Sequence, residues 1–314
     1  MKKNYKVIKY SVEKAGGKIE LLETRRECWR ISYKGRVFYI KGSFKIFRSF
    51  LDTSFLAAFK DLTREIFKAG KFSFPKTLVA SELQGKKELN ELLDKVKPPF
   101  ILKDAAGSLS VGVFANIESK KRAREILERE LKNYKKMLIQ EMVSGKEYRV
   151  LVLDKKILGA LRMIPPYIVG DGKKTVKALI EEKQRKNKKK TPQDEDLFRL
   201  LKSQGEGLDS IPKKQKKVFI RSSSCLAEGG EMIDETDKIS DGLAKECIRL
   251  ASACGLALAG IDLFCEDISL PIEKQEIKFI EVNSRPDLYI HYFSTKGKTR
   301  DVVKEILDYI IKII

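Results

Sequence analysis

Histidine and tryptophan occur once each in this chain, and its five cysteines never form a CxxC pair. A lone His291 has no second imidazole with which to build a metal cluster, and no histidine-based triad fits around it. Cys28, Cys225, Cys247, Cys254 and Cys265 are odd in number and read as buried free thiols, not as a zinc knuckle or a disulfide framework. With only nine prolines and short low-complexity tracts, collagen-like and disordered classes are excluded. No GxxxxGK[ST] spacing occurs, so there is no Walker A loop. The apolar run Ile306 to Ile314 is broken by Asp308 and Lys312 and is too short to span a bilayer. With no signal-peptide pattern ahead of the first element, a cytoplasmic protein with no membrane partner is expected. Acidic residues are also scarce, 44 against 64 lysines and arginines, giving a net charge of +20. That imbalance favours nucleotides, polyanions or acidic peptides. No aromatic-interleaved basic platform or helix-turn-helix pattern appears, so no specific nucleic-acid partner is expected.

What is present is a chain of 314 residues, 42% hydrophobic, long enough for one large domain or several small ones. The first fifty residues read as strands, Lys6 to Tyr10, Ile19 to Leu22, Trp29 to Tyr33 and Val37 to Lys41, the last two joined at Lys34-Gly35. From Ser54 the period becomes helical through Phe55, Phe59, Leu62, Ile66 and Phe67 until Gly70. A strand over Lys76 to Ala80, a helix around Leu89 to Val96, strands Phe100 to Lys103 and Val111 to Ala115, and a helix capped by Ser119 follow. Met137 to Met142, Tyr148 to Leu153 and Ile157 to Met163 are consecutive strands and imply an antiparallel sheet. Glu181 to Lys217, with the run Lys186 to Lys190, reads as a polar surface insertion. A helix over Asp241 to Cys254, a strand pair Leu258 to Glu266 and Glu276 to Asn283, and a helix over Lys298 to Ile314 close the chain. The expected division is a β-rich module over 1–52, one lobe over 53–143, and a second over 144–314 carrying the basic insertion at about 181–217.

Three segments carry chemistry. Phe100 to Lys103 is a strand ending in lysine, followed by a small-residue loop containing Gly107, Ser108 and Ser110. Backbone N–H groups of such a loop reach phosphate oxygens while the ammonium neutralises them; an ordinary hairpin is the alternative. Glu141, Met142 and Val143 form an extended segment able to bond an adenine edge through the backbone, and Glu147 is a carboxylate placed to hold ribose hydroxyls; a connecting strand with charged ends reads equally. Near the C-terminus, Glu281 and Asn283 stand two apart in Phe279-Ile-Glu-Val-Asn283 and share a face. Asp262, in Ala259-Gly-Ile-Asp-Leu263, joins them from a paired strand. Two carboxylates and an amide oxygen suit Mg²⁺ held partly by phosphates, and carboxylates in strands this apolar are costly to bury without a cation.

Taken in order, these pieces resemble the ATP-grasp domain of cyanophycin synthetases and of the bifunctional glutathione-synthesising ligases. The resemblance runs from about Thr53 to Arg300 and includes Phe59-Lys-Asp-Leu-Thr63, Lys103 with its loop, Gly145-Lys-Glu-Tyr-Arg149, Arg162-Met-Ile-Pro-Pro166, Val169-Gly-Asp-Gly172, Arg221, Gly229-Gly230, Gly260-Ile-Asp262 and Glu281-Val-Asn-Ser-Arg-Pro286. It implies an α+β ATP-grasp fold in which two α+β lobes grip ATP, behind the small N-terminal β-rich module. It further implies Lys60 and Lys103 on the nucleotide, Glu141 and Val143 at the adenine, Glu147 at the ribose, and magnesium, with Mn²⁺ as the alternative, on Asp262, Glu281 and Asn283. Arg221 then stands beside the transferring phosphoryl group and, with Lys103, is the catalytic pair. A structural ion pair of Arg221 with Glu228 or Asp234 is the competing assignment.

The activity so implied is an ATP-dependent carboxylate-amine ligase that works through an acyl phosphate and releases ADP and phosphate, on small-molecule or peptide substrates. Such chemistry needs positioning and charge neutralisation and no side-chain nucleophile, in keeping with a chain this poor in histidine. Arg149 lies in one of the shared motifs and is a substrate candidate; Arg162 and Arg285 are forks suited to substrate carboxylates, or else structural salt bridges. The resemblance departs at Ser222-Ser-Ser-Cys-Leu-Ala-Glu228, where the family usually carries an asparagine-bearing loop. Neither a Mur-ligase-like half nor a glutathione-type partner domain lies in these residues, so those two activities are not expected to carry over whole. The alternative is a catalytically reduced ATP-binding module acting with a partner protein; homo-oligomerisation is left open.

Overall fold

The computed structural model describes residues 3–23, 27–47, 60–106, 112–187, 191–224 and 229–313. Expectations that rest on Phe55 and Phe59, on Gly107, Ser108 and Ser110, on Lys188 to Lys190, or on Glu228 therefore lie outside the described residues.

The chain begins with a helix, α1 (Lys3–Lys14), where Lys6 to Tyr10 reads as a strand. Val7, Ile8, Ser11 and Val12 are buried, a stripe at helical spacing. A five-residue window is too short to separate the two periods, and packing of that stripe decides between them. Strands β1 (Lys18–Glu23), β2 (Cys28–Tyr33) and β3 (Arg36–Lys41) follow as an antiparallel sheet, and Tyr5 of α1 stacks on Trp29 with centroids 3.8 Å apart.

Next come α2 (Lys60–Ala69), β4 (Thr77–Ser81), α3 (Lys86–Asp94), β5 (Phe100–Asp104), β6 (Val113–Ile117), α4 (Lys120–Glu130) and β7 (Lys136–Glu141). Strands β4 to β7 form an antiparallel sheet in the order β4-β7-β5-β6. Ser119 caps α4 as expected, its hydroxyl accepting from Arg122 N at 3.3 Å. One face of this sheet, with Phe100, Leu102, Met137 and Ile139, is covered by Leu89 and Leu93 of α3 and Ala123, Ile126 and Leu127 of α4. By strand alternation Lys103 stands on the opposite face.

A third antiparallel sheet contains β8 (Lys146–Leu153), β9 (Lys156–Ile164), β12 (Glu231–Asp234), β13 (Leu258–Cys265) and β14 (Lys278–Asn283) in the order β12-β9-β8-β13-β14. Tyr148, Val150, Val152, Ile261 and Leu263 line one face, beneath α7 (Asp241–Ala253) and beside Phe67 and Phe72. The other face has two ends. At one, Leu151, Leu153, Leu158 and Leu258 pack against α1, β2 and α9 (Val302–Ile313) in a single core. The N-terminal segment thus shares its core with this sheet, and Ile46 O accepts from both Ala257 N and Leu258 N. Each large aliphatic buried there contributes about 1.5–3 kcal/mol. The polar end of the same face carries the candidate site.

Between β9 and β12 lie β10 (Tyr167–Val169), α5 (Val176–Asn187), α6 (Glu195–Ser203) and β11 (Lys217–Phe219). Ile168, Val176, Ile180, Leu197, Leu201, Val218 and Ile220 form a small core of their own. Within the polar stretch 181–217, Leu197 and Leu201, one helical turn apart and flanked by charges in sequence, enter this core. Among the described residues no helix is long and apolar enough to cross a membrane.

His291 lies on the short helix α8 (Tyr289–Tyr292), buried against Gly159, where a Cβ would overlap the imidazole Nδ1. Neither ring nitrogen has a hydrogen-bond partner among the described residues. Burial pulls its pKa down to about 3; Arg149 and Arg300 push the same way and Asp234 opposes them. An unfolded chain takes up this proton near pH 6.5. The stabilisation from a neutral His291 is therefore complete above that pH and is lost as the pH falls toward about 3. Replacing His291→Leu should flatten the acid side of the stability profile by up to about 1.4 kcal/mol per pH unit between pH 6 and 4. Urea titrations at several pH values measure this, and an unchanged slope would refute the assignment.

Candidate active site

Cross-strand pairing assembles the carboxylates. Asp262 on β13 is directly opposite Glu281 on β14 and Arg149 on β8, and Asn283 is opposite Gly260. Directly opposed residues project to the same side of a sheet, so Arg149, Asp262, Glu281 and Asn283 share one face with Glu147. A β-bulge after Asp262 changes the register beyond this group. Gly260 leaves room for Pro286, whose Cβ would stand 3.0 Å from an added side chain, and so brings the chain after Asn283 back across the strands.

Lys103 reaches this group from the four-stranded sheet. Burial pulls its ammonium down to about 8, Lys60 adds to that, and Glu281 and Asp262 hold it up. Lys60 begins α2 and stands 3.9 Å from Glu281 Oε2. Burial raises the Glu281 carboxyl above its ordinary range against the pull of Lys60, Lys103 and Arg149, with Asp262 adding to the rise. Burial likewise raises Glu147, although Ser224 donates a short hydrogen bond to Glu147 Oε2. Arg149 grips Asp262 with both arms, Nε to Oδ1 at 2.6 Å and Nη2 to Oδ2 at 2.7 Å. The guanidinium expected to meet a substrate carboxylate is here engaged by a carboxylate of the protein.

Two carboxylates and an amide on one face are a partial set of hard oxygen donors. No group of three or more His, Cys, Asp or Glu residues gathers into a metal cage among the described residues. Two carboxylates and one amide oxygen are the kind of donors that suit a hard cation whose remaining ligands are phosphate oxygens.

The other predicted residues are distributed as follows. Glu141 ends β7, its Oε1 accepting from Lys76 N at 2.7 Å, and Met142 and Val143 begin the short connection to β8. At the end of that connection, Gly145 has φ +113° and an added Cβ would stand 2.8 Å from Cys265 O, so only glycine fits. Arg162 is opposite Tyr148 on β9 and so projects to the face away from Asp262. Arg285 is exposed in the loop after Asn283. Arg221 follows β11, buried, with Nη1 donating to Asp194 Oδ1 at 2.9 Å and Nη2 to Pro192 O at 2.6 Å. Asp234, weighed in sequence as its ion partner, instead takes both arms of Arg300. Ser224 and Asp194 were missed by sequence reasoning. Asp194 carries an N-cap signal, its side chain accepting from Leu197 N, but nothing in the local pattern links it to Arg221.

Lys103 on one antiparallel sheet faces Asp262 and Glu281 on another, an α+β arrangement in keeping with the ATP-grasp fold, and comparison with solved structures agrees. A bifunctional glutathione synthetase from Pasteurella multocida superposes with a TM-score of 0.67 at 22% identity, covering 99% of this chain and 43% of that one. D-alanine–D-alanine ligase from Bacillus anthracis gives 0.52 at 15% identity, over 83% of this chain and 68% of that one. The chain has the ATP-grasp fold, and residues 60–173 match the RimK-like ATP-grasp domain. Its relatives in sequence include the glutathione biosynthesis bifunctional protein GshAB of Clostridium perfringens, 27% identical over 94% of this chain, and the cyanophycin synthetase of Nostoc sp., 28% identical over 81%. The resemblance read from the motifs is thereby borne out. The chain spans 39% and 29% of the length of those two relatives.

The pairing of Arg221 with the α6 cap makes a stability prediction. Arg221→Ala should cost about 1.5–3 kcal/mol in urea unfolding, the usual worth of hydrogen bonds to a charged group. Arg221→Lys, which keeps the charge without the planar fork, should lose less. A loss under about 0.5 kcal/mol for alanine, the range of an ordinary surface change, would show that these bonds do not hold the segment.

Proposed function

We propose that the chain is an ATP-dependent carboxylate-amine ligase, in which the γ-phosphoryl group passes to a carboxylate and an amine then displaces phosphate from the acyl phosphate. The observation that supports this most is the meeting of Lys103 from one sheet with Asp262 and Glu281 from the other, close enough for their charges to act on one another. Lysines and hard carboxylates converging from two lobes suit a polyphosphate far better than an apolar ligand. Relatives named for glutathione biosynthesis and cyanophycin synthesis point the same way.

In this reading Lys60 and Lys103 neutralise phosphate oxygens, the loop of Gly107, Ser108 and Ser110 offers N–H donors, Glu141 to Val143 meets the adenine, and Glu147 holds the ribose. Asp262, Glu281 and Asn283 would hold Mg²⁺, with Mn²⁺ as a substitute, and a cation there supplies charge neutralisation between the phosphates. Arg221 stabilises the phosphoryl group in transit, which requires its fork to exchange Asp194 for phosphate oxygens. Arg162 and Arg285 remain the substrate candidates, Arg162 only if the substrate extends to the other face of β9. The lobes divide near Val143, and the protein works in the cytoplasm on small-molecule or peptide substrates.

ADP release in the presence of mixed amino acids and Mg²⁺ tests the reading. Asp262→Asn and Glu281→Gln should each lower turnover by at least about 100-fold, the scale on which single electrostatic contacts to a reacting phosphoryl group act, while thermal melts show folded protein. Turnover within about twofold of wild type in both variants would remove the metal assignment. Lys103 supplies an independent check. Its ammonium form is the one that attracts phosphate, so ATP affinity should weaken as the pH rises through about 8. Lys103→Met should bind about tenfold more weakly, the loss of one charged contact, and show a flat profile between pH 7 and 9. Calorimetric titration that finds the same pH dependence in both proteins would exclude Lys103 from the phosphates.

A further inference from the structure

Arg149 takes the place on Asp262 that a cation would need. Its two donors, at 2.6 and 2.7 Å, engage both carboxylate oxygens from the directly opposed position on the neighbouring strand. A fork–fork contact of this kind is planar and specific, and Asp262 lies largely out of solvent, with 13% of its side chain exposed. Glu281, the opposing carboxylate, has Lys60 at 3.9 Å and Lys103 in range. Within this cluster, among the described residues, Lys60, Lys103 and Arg149 stand against Glu147, Asp262 and Glu281, so the carboxylates already face cations before any ligand arrives. A free dication would bring unbalanced positive charge into a partly desolvated site and must compete with a guanidinium already seated. A polyphosphate carries the negative charge that offsets the cation and frees the fork.

We propose that Arg149 is a positioning residue that keeps Asp262 closed to free divalent cations, so that the metal enters only together with the phosphates of the nucleotide. This rests on the reading of Asp262, Glu281 and Asn283 as the metal set. It adds an order of binding: nucleotide with metal, never metal first. Loss of a merely structural arginine would weaken metal binding by loosening Asp262, whereas removal of a competing cation strengthens it, so the sign of the change separates the two roles.

The test is titration of Mn²⁺ into nucleotide-free protein, followed by electron paramagnetic resonance of the free ion. Arg149→Gln should bind Mn²⁺ at least tenfold more tightly than wild type, and the gain should vanish in the Arg149→Gln, Asp262→Asn double variant. Arg149→Lys, which keeps the charge but not the fork, should gain at least threefold and serves if the glutamine variant does not fold. Equal or weaker binding in the single variants, or a gain that survives Asp262→Asn, overturns the proposal. ADP binding with and without Mn²⁺ separates this from failure of the metal reading. If Asp262→Asn abolishes the Mn²⁺ dependence of ADP binding but Arg149 variants gain nothing, the metal set stands and the closing role falls. If Asp262→Asn leaves that dependence intact, both fall.

Discussion

The antiparallel register of β8, β13 and β14 is the constraint on which the site depends. Because opposed residues share a side, one register sets Arg149 against Asp262 and Asp262 against Glu281. A slip of one residue along β13 would turn Asp262 into the core beneath α7 and bring Ile261 or Leu263 to the cleft. The apolar face fixes that register through Tyr148, Val150, Ile261 and Leu263, all buried. The same hydrophobic contacts that stabilise the sheet therefore determine which charges meet on its other side.

That other side is divided along its length. Toward one end Leu151, Leu153 and Leu258 are sealed by α1, β2 and α9, and toward the other the alternating positions turn to Arg149, Glu147 and Asp262. His291 lies at the border, seated on Gly159, one position along the face from Arg149 since Gly159 pairs with Leu151. An uncharged imidazole whose nitrogens have no hydrogen-bond partner among the described residues suits this place: it is small enough to fit over glycine and adds no charge beside the cluster. Covering the apolar end gives the N-terminal segment a structural task that its sequence position, far from the motifs, does not reveal.

Charge is arranged differently inside and outside. The chain carries a net +20, and exposed charges are screened by water and salt beyond about 8–10 Å, while the partly buried cluster sets Lys60, Lys103 and Arg149 against Glu147, Asp262 and Glu281. Arg221 belongs to a third arrangement, a buried guanidinium tied to the N-cap of α6. It follows Val218 and Ile220, which belong to the same small core as Ile168, Val176 and Leu197. Asp194 at 2.9 Å and Asp196 at 4.0 Å both lie within ion-pair range of this guanidinium, so the contact ties the end of β11 to the start of α6 within the polar subdomain.

Motif order and spacing determined much by themselves. The two-residue step from Glu281 to Asn283, the apolar flanks of Asp262 and the lysine closing Phe100 to Lys103 were legible because strand period is local and carboxylates in apolar strands demand a reason. Helices with a cap, such as the one begun by Ser119, were legible for the same reason. Contacts between distant segments were not. Lys6 to Tyr10 is a short apolar-rich run that reads as a strand, and it is a helix because α9 and β2 take up its stripe. Arg149 reads as a substrate candidate until the sheet sets it opposite Asp262, and Arg221 reads as a phosphoryl ligand or a partner of Glu228 or Asp234, whereas the side chain that reaches it is Asp194, 27 residues away. Sequence states what each residue can do through its chemistry and its local period. Only the tertiary structure decides which opposite charge arrives first, because that depends on register and packing among segments far apart in the chain.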